Sequence, residues 1–301
     1  MTIPEIDIAA GPAGVAAEVR RACEDVGFLT IVGHGVADAL VEEVAARSRA
    51  FFDLADAEKE RYRAPAETPG LPVYRPLGAE TLGANADRKA SLDWGPTLAG
   101  VAWPPGVREP YERYFGEMLR VAGVLTRAFA LALDLAEDAL DPYFDDRSSS
   151  LRVIDYPALE EPAAKPPAPG GETRPRSAAV AGYGGARAGA HRDYGCLTII
   201  RSDAGGLEAQ TRDGEWLPVH ASPGGFVVNI GDLMQRWTGD RWVSTLHRVV
   251  GTEGESPRRQ SLVFFHNPRS DAVIETLGGG TAYEPVTAGE YVLARAAEAG
   301  L

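Results

Sequence analysis

Apolar residues recur four apart at Val15, Val19 and Cys23, which predicts a helix over residues 12–26. The run Gly27–Val32 is apolar without helical spacing and reads as a buried strand, closed by Gly33 and Gly35. Residues 3–8 read as a short first strand, 38–54 as a second helix and 56–62 as a short charged one. Residues 64–108 are rich in Pro and Gly and read as loops with brief strands. The longest helical pattern spans 110–135, where Tyr111, Phe115, Leu119, Val121, Val124, Leu125 and Phe129 share one broad face. Pro110 suits its first position, where a missing N–H costs nothing.

The pattern changes near residue 148. Short apolar runs then follow at 151–156, 196–200, 206–210, 216–220, 225–230, 247–250 and 261–266, separated by turn residues. Many short strands with regular punctuation predict a sandwich or jelly roll. The segment 157–178 is dense in Pro, Ala and Gly and is expected to be a mobile loop, and a final helix is expected over 287–299. The chain therefore divides into a helix-rich part (1–147), a β-rich core (148–275) and a C-terminal helix (276–301), all within one domain.

Composition narrows the function. The 301 residues are 45% hydrophobic and 24% charged, an ordinary globular balance. Thirty Lys and Arg stand against 43 Asp and Glu, a net charge of −13. A chain this acidic lacks the basic footprint of nucleic-acid binding and is not drawn to an anionic membrane. No apolar stretch reaches about 18 residues. The start MTIPEIDIAA has no basic, then apolar, secretory pattern, and two distant cysteines make no disulfide framework. A cytoplasmic location is the expectation.

The chain has only five histidines. In an extended segment, His191 and Asp193 project to the same face. A second His from a neighbouring strand, such as His247, would complete a two-His, one-carboxylate face. Such a face holds Fe(II) and leaves positions open for a co-substrate and dioxygen. Alone, the His-x-Asp pair is a weak signal. By the same alternation Arg259, Ser261, Val263 and Phe265 share a face. An Arg and a Ser inside a barrel are costly without an anionic guest, and a guanidinium pairs bidentately with a carboxylate. The arrangement fits a dicarboxylate.

These residues lie in an ordered set of motifs: IPEIDI, VRRACEDVGFLTIVGHGV, FFDLADAEKERYR, DRKASLDWG, LRVIDYP, AHRDYGCLTII, LPVHASPGGFVVNIGDLMQRWTGDRWVSTLHRVV, RRQSLVFFHNP and YEPVTAGEYVLAR. Together they resemble the isopenicillin N synthase-like family of Fe(II)/2-oxoglutarate-dependent oxygenases over nearly the whole chain. The resemblance implies a mostly β fold with flanking helices around a double-stranded β-helix, or jelly-roll, core. It implies His191, Asp193 and His247 as iron ligands, Arg259 and Ser261 as the pair binding the far carboxylate of 2-oxoglutarate, and Tyr156 as a further co-substrate contact. Arg152 and Ile154 share the inward face of Tyr156, with Ile154 in place of a polar residue seen in many plant members. Arg152 hints at an anionic substrate. Phe265 matches an aromatic position lining the substrate pocket, and Tyr183 is either a substrate contact or a packing residue. The implied reaction consumes dioxygen and 2-oxoglutarate, releases succinate and carbon dioxide, and hydroxylates, desaturates or cyclises a small molecule in specialised metabolism. The alternatives are a family oxidase that dispenses with 2-oxoglutarate and, more remotely, a non-catalytic metal-binding jelly roll.

Several other residues have plainer readings. His34, between two glycines, is expected to be structural, His220 to lie in a surface turn and His266 in the core or at the rim. Trp237 and Trp242 are core or mouth residues with equal weight. Asn229 and Asp232 are read as satisfying backbone groups at a turn, although the family places this stretch near the iron. Cys196 reads as a small buried hydrophobe, Arg192 as solvent-facing, and Arg75 and Trp94 as part of a loop region covering the pocket.

Overall fold

A computed structural model describes residues 2–63, 73–80, 87–98, 100–158, 186–251, 257–278 and 281–298. The first half contributes β1 (Glu5–Asp7), α1 (Gly11–Asp25), β2 (Phe28–Val32), α2 (Asp38–Phe52), α3 (Asp56–Lys59), β3 (Tyr74–Arg75), β4 (Ala90–Trp94) and α4 (Arg108–Ala132). The second contributes β5 (Ser150–Tyr156), β6 (Ala186–His191), β7 (Leu197–Ser202), β8 (Leu207–Gln210), β9 (Trp216–Pro218), β10 (Phe226–Ile230) and α5 (Asp232–Trp237). It ends with β11 (His247–Val250), β12 (Arg259–His266), β13 (Val273–Ile274), β14 (Val286–Thr287) and α6 (Ala288–Glu298). An eight-stranded sheet, ordered β1-β2-β10-β7-β12-β5-β4-β3, faces a four-stranded sheet, ordered β6-β11-β8-β9. This is the expected double-stranded β-helix with flanking helices. The helix-rich first part is less separate than its composition suggests, because its strands form both edges of the large sheet.

The large sheet is buried on both faces, and alternation sorts its residues. On β12, Leu262 and Phe264 pack under the helices, whereas Val263 joins the core between the sheets and Phe265 packs against that core. On β7, Leu197 and Ile199 face the helices and Ile200 faces the barrel. The amphipathic α4 lies across the outer face, with Phe115 edge-on to Phe264 at 5.3 Å. It ends three residues before the expected position. Asp134 turns left-handed (φ 61°), and the Leu135 N–H closes back on the Ala130 carbonyl at 2.9 Å.

Residues paired across an antiparallel ladder project to one face. The ladders pair Ser91 with Ile154 and Ile154 with Ser261, and they pair Asp93 with Arg152 and Arg152 with Val263. Phe265 pairs with Thr198, Thr198 with Asn229 and Asn229 with Phe28. The barrel interior is thus lined by rows of polar and apolar side chains, drawn from strands far apart in sequence.

Several expectations change. Trp94 is a core aromatic stacked on Phe115 at 5.7 Å, not part of a pocket cover. Trp237 and Trp242 are both core, edge-on to Tyr143 at 4.8 Å and to Phe129 at 5.1 Å. The last helix packs on its own chain, where Arg295 pairs with Asp232 of α5 at 3.0 Å. Apart from Pro157 and Ala158, the segment 157–178 lies outside the described residues. Among the described residues no helix is long and apolar enough to cross a membrane.

Candidate active site

His191 is the last residue of β6, directly opposite His247 at the start of β11. Asp193 is not on a strand, as alternation had suggested. It lies in the turn from β6 to β7 and reaches the histidines by loop geometry. Backbone bonds from the start of α5 pin this turn: Asp232 N–H donates to the Asp193 carbonyl at 2.7 Å, and Gly231 N–H to the Cys196 carbonyl at 3.1 Å. The approach requires glycine at 231, where a Cβ would stand 2.7 Å from the Asp193 carbonyl oxygen and 2.4 Å from that of Gly195.

The donor atoms of His191, Asp193 and His247 lie within 4.8 Å of one another. Asp193 Oδ1 is 3.8 Å from His191 Nε2 and 3.7 Å from His247 Nε2. Each imidazole is oriented by its other nitrogen. His191 Nδ1 donates to the Gly189 carbonyl at 2.8 Å, and His247 Nδ1 to the Thr245 carbonyl at 3.0 Å. Both Nε2 lone pairs therefore face the gap. Phe28 packs edge-on to His247 at 5.5 Å. Burial, reinforced by His247, pushes the pKa of His191 down to about 3, so the ring is neutral as a metal ligand must be. Burial alone would raise the Asp193 pKa. His247, His191 and hydrogen bonds from Asn229 and Thr198 outweigh it and hold the carboxyl below the usual range. Two imidazoles and one carboxylate converging from one side are the donor set of an open Fe(II) site.

Two of these partners escaped the sequence reading. Thr198 Oγ1 and Asn229 Nδ2 donate to Asp193 Oδ2 at 2.6 and 2.7 Å, leaving Oδ1 turned to the histidines. Thr198 was not singled out, and Asn229 serves this carboxylate rather than backbone groups at a turn. The available signal was a polar residue inside an otherwise apolar strand, in CLTII and in FVVNI.

Arg259 opens β12 and is 1% exposed. Its Nε donates to the carbonyls of Ala204 and Gly205 at 3.2 and 2.9 Å, and Nη1 to the Ser261 hydroxyl. The Tyr156 ring lies 5.0 Å from the guanidinium carbon. Among the described residues no carboxylate pairs with Arg259. Burial pushes its pKa below the usual arginine range, with Tyr156 acting against the shift. A guanidinium remains charged even so, and its hydrogen-bond and ring partners among the described residues are neutral. Phe265 is half-buried against the inner cluster.

Arg152 does not offer a free charge to a substrate. Asp93 takes it bidentately at 2.8 and 2.9 Å, and Glu80 adds a contact at 3.1 Å. The hint of an anionic substrate loses its basis there. Arg75, expected to cover the pocket, joins the same cluster, 3.1 Å from Asp93 and 3.3 Å from Glu80. Tyr183 lies outside the described residues.

The remaining histidines keep their plain readings. His34 is held by the Gly224 carbonyl at 2.8 Å and stacks on Phe226 at 4.1 Å. His220 is exposed, and buried His266 bonds Ser149 at 2.9 Å. Both cysteines are buried and unbridged.

Comparison with known proteins agrees with this geometry. Residues 3–111 match the family described as non-haem dioxygenase in morphine synthesis N-terminal, and residues 153–268 match the 2OG-Fe(II) oxygenase superfamily. A 2-oxoglutarate-Fe(II) type oxidoreductase of Aspergillus fumigatus is 31% identical, over 91% of this chain and 84% of its own. A full-length Neurospora crassa protein, solved in complex with alpha-KG and thymine, superposes with a TM-score of 0.82 at 26% identity, covering 98% of this chain and 96% of that one. The structure of JOX2 in complex with 2OG, Fe and JA gives 0.76 at 28% identity, covering 97% and 84%. The chain belongs to the Fe(II)- and 2-oxoglutarate-dependent oxygenase superfamily and is an oxidoreductase of that type.

Proposed function

We propose that His191, Asp193 and His247 hold the catalytic Fe(II), that Arg259 and Ser261 bind the far carboxylate of 2-oxoglutarate beside Tyr156, and that the enzyme oxidises a C–H bond of a small organic molecule. The observation that carries the co-substrate assignment is the buried Arg259 guanidinium, which meets carbonyls, a hydroxyl and an aromatic ring but no carboxylate among the described residues. A dicarboxylate supplies the missing charge in bidentate geometry.

When bound, Fe(II) with 2-oxoglutarate and dioxygen supplies the oxidising chemistry. The chain's own part is positional. The carbonyls of Gly189 and Thr245 present two imidazole lone pairs, and Thr198 and Asn229 turn one carboxylate oxygen to meet them. The apolar inner wall of Ile154, Ile200, Val227 and Val263 excludes water. The substrate falls in the small-molecule class that the Neurospora crassa protein and JOX2 bind in their complexes. Because Arg152 is already paired with Asp93 and Glu80, recognition of an anionic substrate is not assigned to it.

Anaerobic titration with Fe(II) and then 2-oxoglutarate tests the assignment. The weak visible charge-transfer band of a chelated keto acid should form with the wild type, fail to form in His191→Ala, and need far more 2-oxoglutarate in Arg259→Met. Iron binding without the band, and oxygen uptake independent of 2-oxoglutarate, would favour an oxidase that dispenses with the co-substrate.

A further inference from the structure

Edges of the two sheets meet beside His191. Strand β6 is outermost in the small sheet, and its ladder with β11 slips between the pairs His247–His191 and Val249–Ala188. The step is two residues on β11 and three on β6, so β6 carries a bulge around Gly189 and Ala190. A bulge re-aims the side chain that follows and takes a backbone N–H out of the ladder. Here the Gly189 N–H donates to Asp87 Oδ1 at 3.0 Å, while the Gly189 carbonyl accepts from His191 Nδ1 at 2.8 Å. Asp87 precedes β4 on the large sheet and is 2% exposed. Its Oδ2 lies 2.9 Å from Lys89 Nζ, which also reaches Glu80 at 3.1 Å.

We propose that Asp87, tethered by Lys89, is a positioning residue for His191: its carboxylate holds the bulged Gly189 and so sets where the His191 Nε2 lone pair points. The inference rests on reading His191 as an iron ligand. Glycine has no side chain to anchor it, and its backbone is the most permissive of any residue. Without Asp87, Gly189, the residue whose carbonyl orients the imidazole, is left with a half-buried N–H and no acceptor, and its freed backbone lets that carbonyl and the ring turn. The negative charge of Asp87 is matched by Lys89, so it neither attracts the metal itself nor remains uncompensated.

Co(II), a redox-stable probe followed by its visible absorption, separates this role from simple sheet stapling. Partners that orient a metal-bound histidine affect metal affinity by about 10- to 100-fold when removed. Asp87→Ala should therefore bind Co(II) at least tenfold more weakly, with lower kcat and an unchanged KM for 2-oxoglutarate, which Arg259 governs. Asp87→Asn keeps a carbonyl acceptor for Gly189 and should stay within about threefold of the wild type. Should the alanine variant not fold, Asp87→Ser, with a polar group too short to reach Gly189, should show the same tenfold loss. A folded Asp87→Ala or Asp87→Ser with wild-type Co(II) affinity overturns the proposal, as does an asparagine variant as weak as alanine. Wild-type protein that binds no Co(II) overturns the iron-site reading and this inference together, whereas wild-type binding with unchanged variants overturns this inference alone.

Discussion

Arg152 and Arg259 face the barrel interior from adjacent strands, β5 and β12, and are held in opposite ways. Arg152 has its counter-charge within the chain: both oxygens of Asp93, a contact to Glu80, and Arg75 and Lys89 completing a cluster with those carboxylates. Arg259 has carbonyls, a hydroxyl and an aromatic face. A buried cation neutralised by its own chain braces the fold, here by tying β3, β4 and β5 together. One surrounded by neutral acceptors leaves a place for an anion. The same residue type on the same interior thus braces the architecture in one case and, in the proposed function, binds the co-substrate in the other.

The sharpest way to break this contrast is to remove each arginine. Arg152→Met leaves Asp93 and Glu80 without their main partner and should cost about 3–5 kcal/mol of stability, as broken buried pairs do. Denaturant unfolding reads the loss, and the KM for 2-oxoglutarate of the folded enzyme should not move. A raised KM with unchanged stability would reverse the assignment.

Acid unfolding probes the same cluster. Burial works against ionisation of Glu80, but Arg152, Lys89 and Arg75 outweigh it and lower its pKa from 4.5 to about 2. Because the folded pKa is depressed, the stabilisation is complete above the unfolded value and is lost as pH falls from about 4.5 through 2. It is on the order of 3 kcal/mol. Glu80→Gln should flatten the stability curve in that window, and a curve as steep as wild type would remove Glu80 from the account.

Arg259→Met should do the opposite of Arg152→Met. Losing charge-assisted bonds to the co-substrate should raise the KM for 2-oxoglutarate roughly 30- to 150-fold, or about 2–3 kcal/mol. Stability should hold or rise, because a buried unmatched charge has gone. Succinate release against co-substrate concentration checks the first, and thermal melting without ligand the second. The smallest effect is expected at Ser261→Ala, which removes one hydroxyl: about 1 kcal/mol, a roughly fivefold rise in the same KM. A Ser261 effect as large as that of Arg259 would mean the hydroxyl, not the guanidinium, dominates.

How far these sites were legible varies with the kind of contact. The scarcity of histidine made His191 and His247 candidates, and alternation along RRQSLVFF placed Arg259 and Ser261 together, as the β12 ladder shows. The same reasoning at HRD brought the right two residues together for the wrong reason, because the strand ends at His191 and a loop delivers Asp193. The partners of Arg152 were not legible at all. Asp93 and Glu80 lie 59 and 72 positions away in a stretch whose Pro and Gly content suggested only loops with brief strands. Long-range ionic pairing has no local periodicity to betray it.

Residue order alone determined most of the helices and the faces of strands such as β12, though not the extent of β6, since helical spacing and strand alternation are local consequences of backbone geometry. It also carried the motifs that mark the family. Tertiary structure decided which polar residues serve one another: Thr198 and Asn229 on Asp193, Asp87 on Gly189, and carboxylates on Arg152 but, among the described residues, not on Arg259. Those choices depend on the meeting of strands from distant parts of the chain, where burial makes each unmatched charge or donor costly enough to show what it is for.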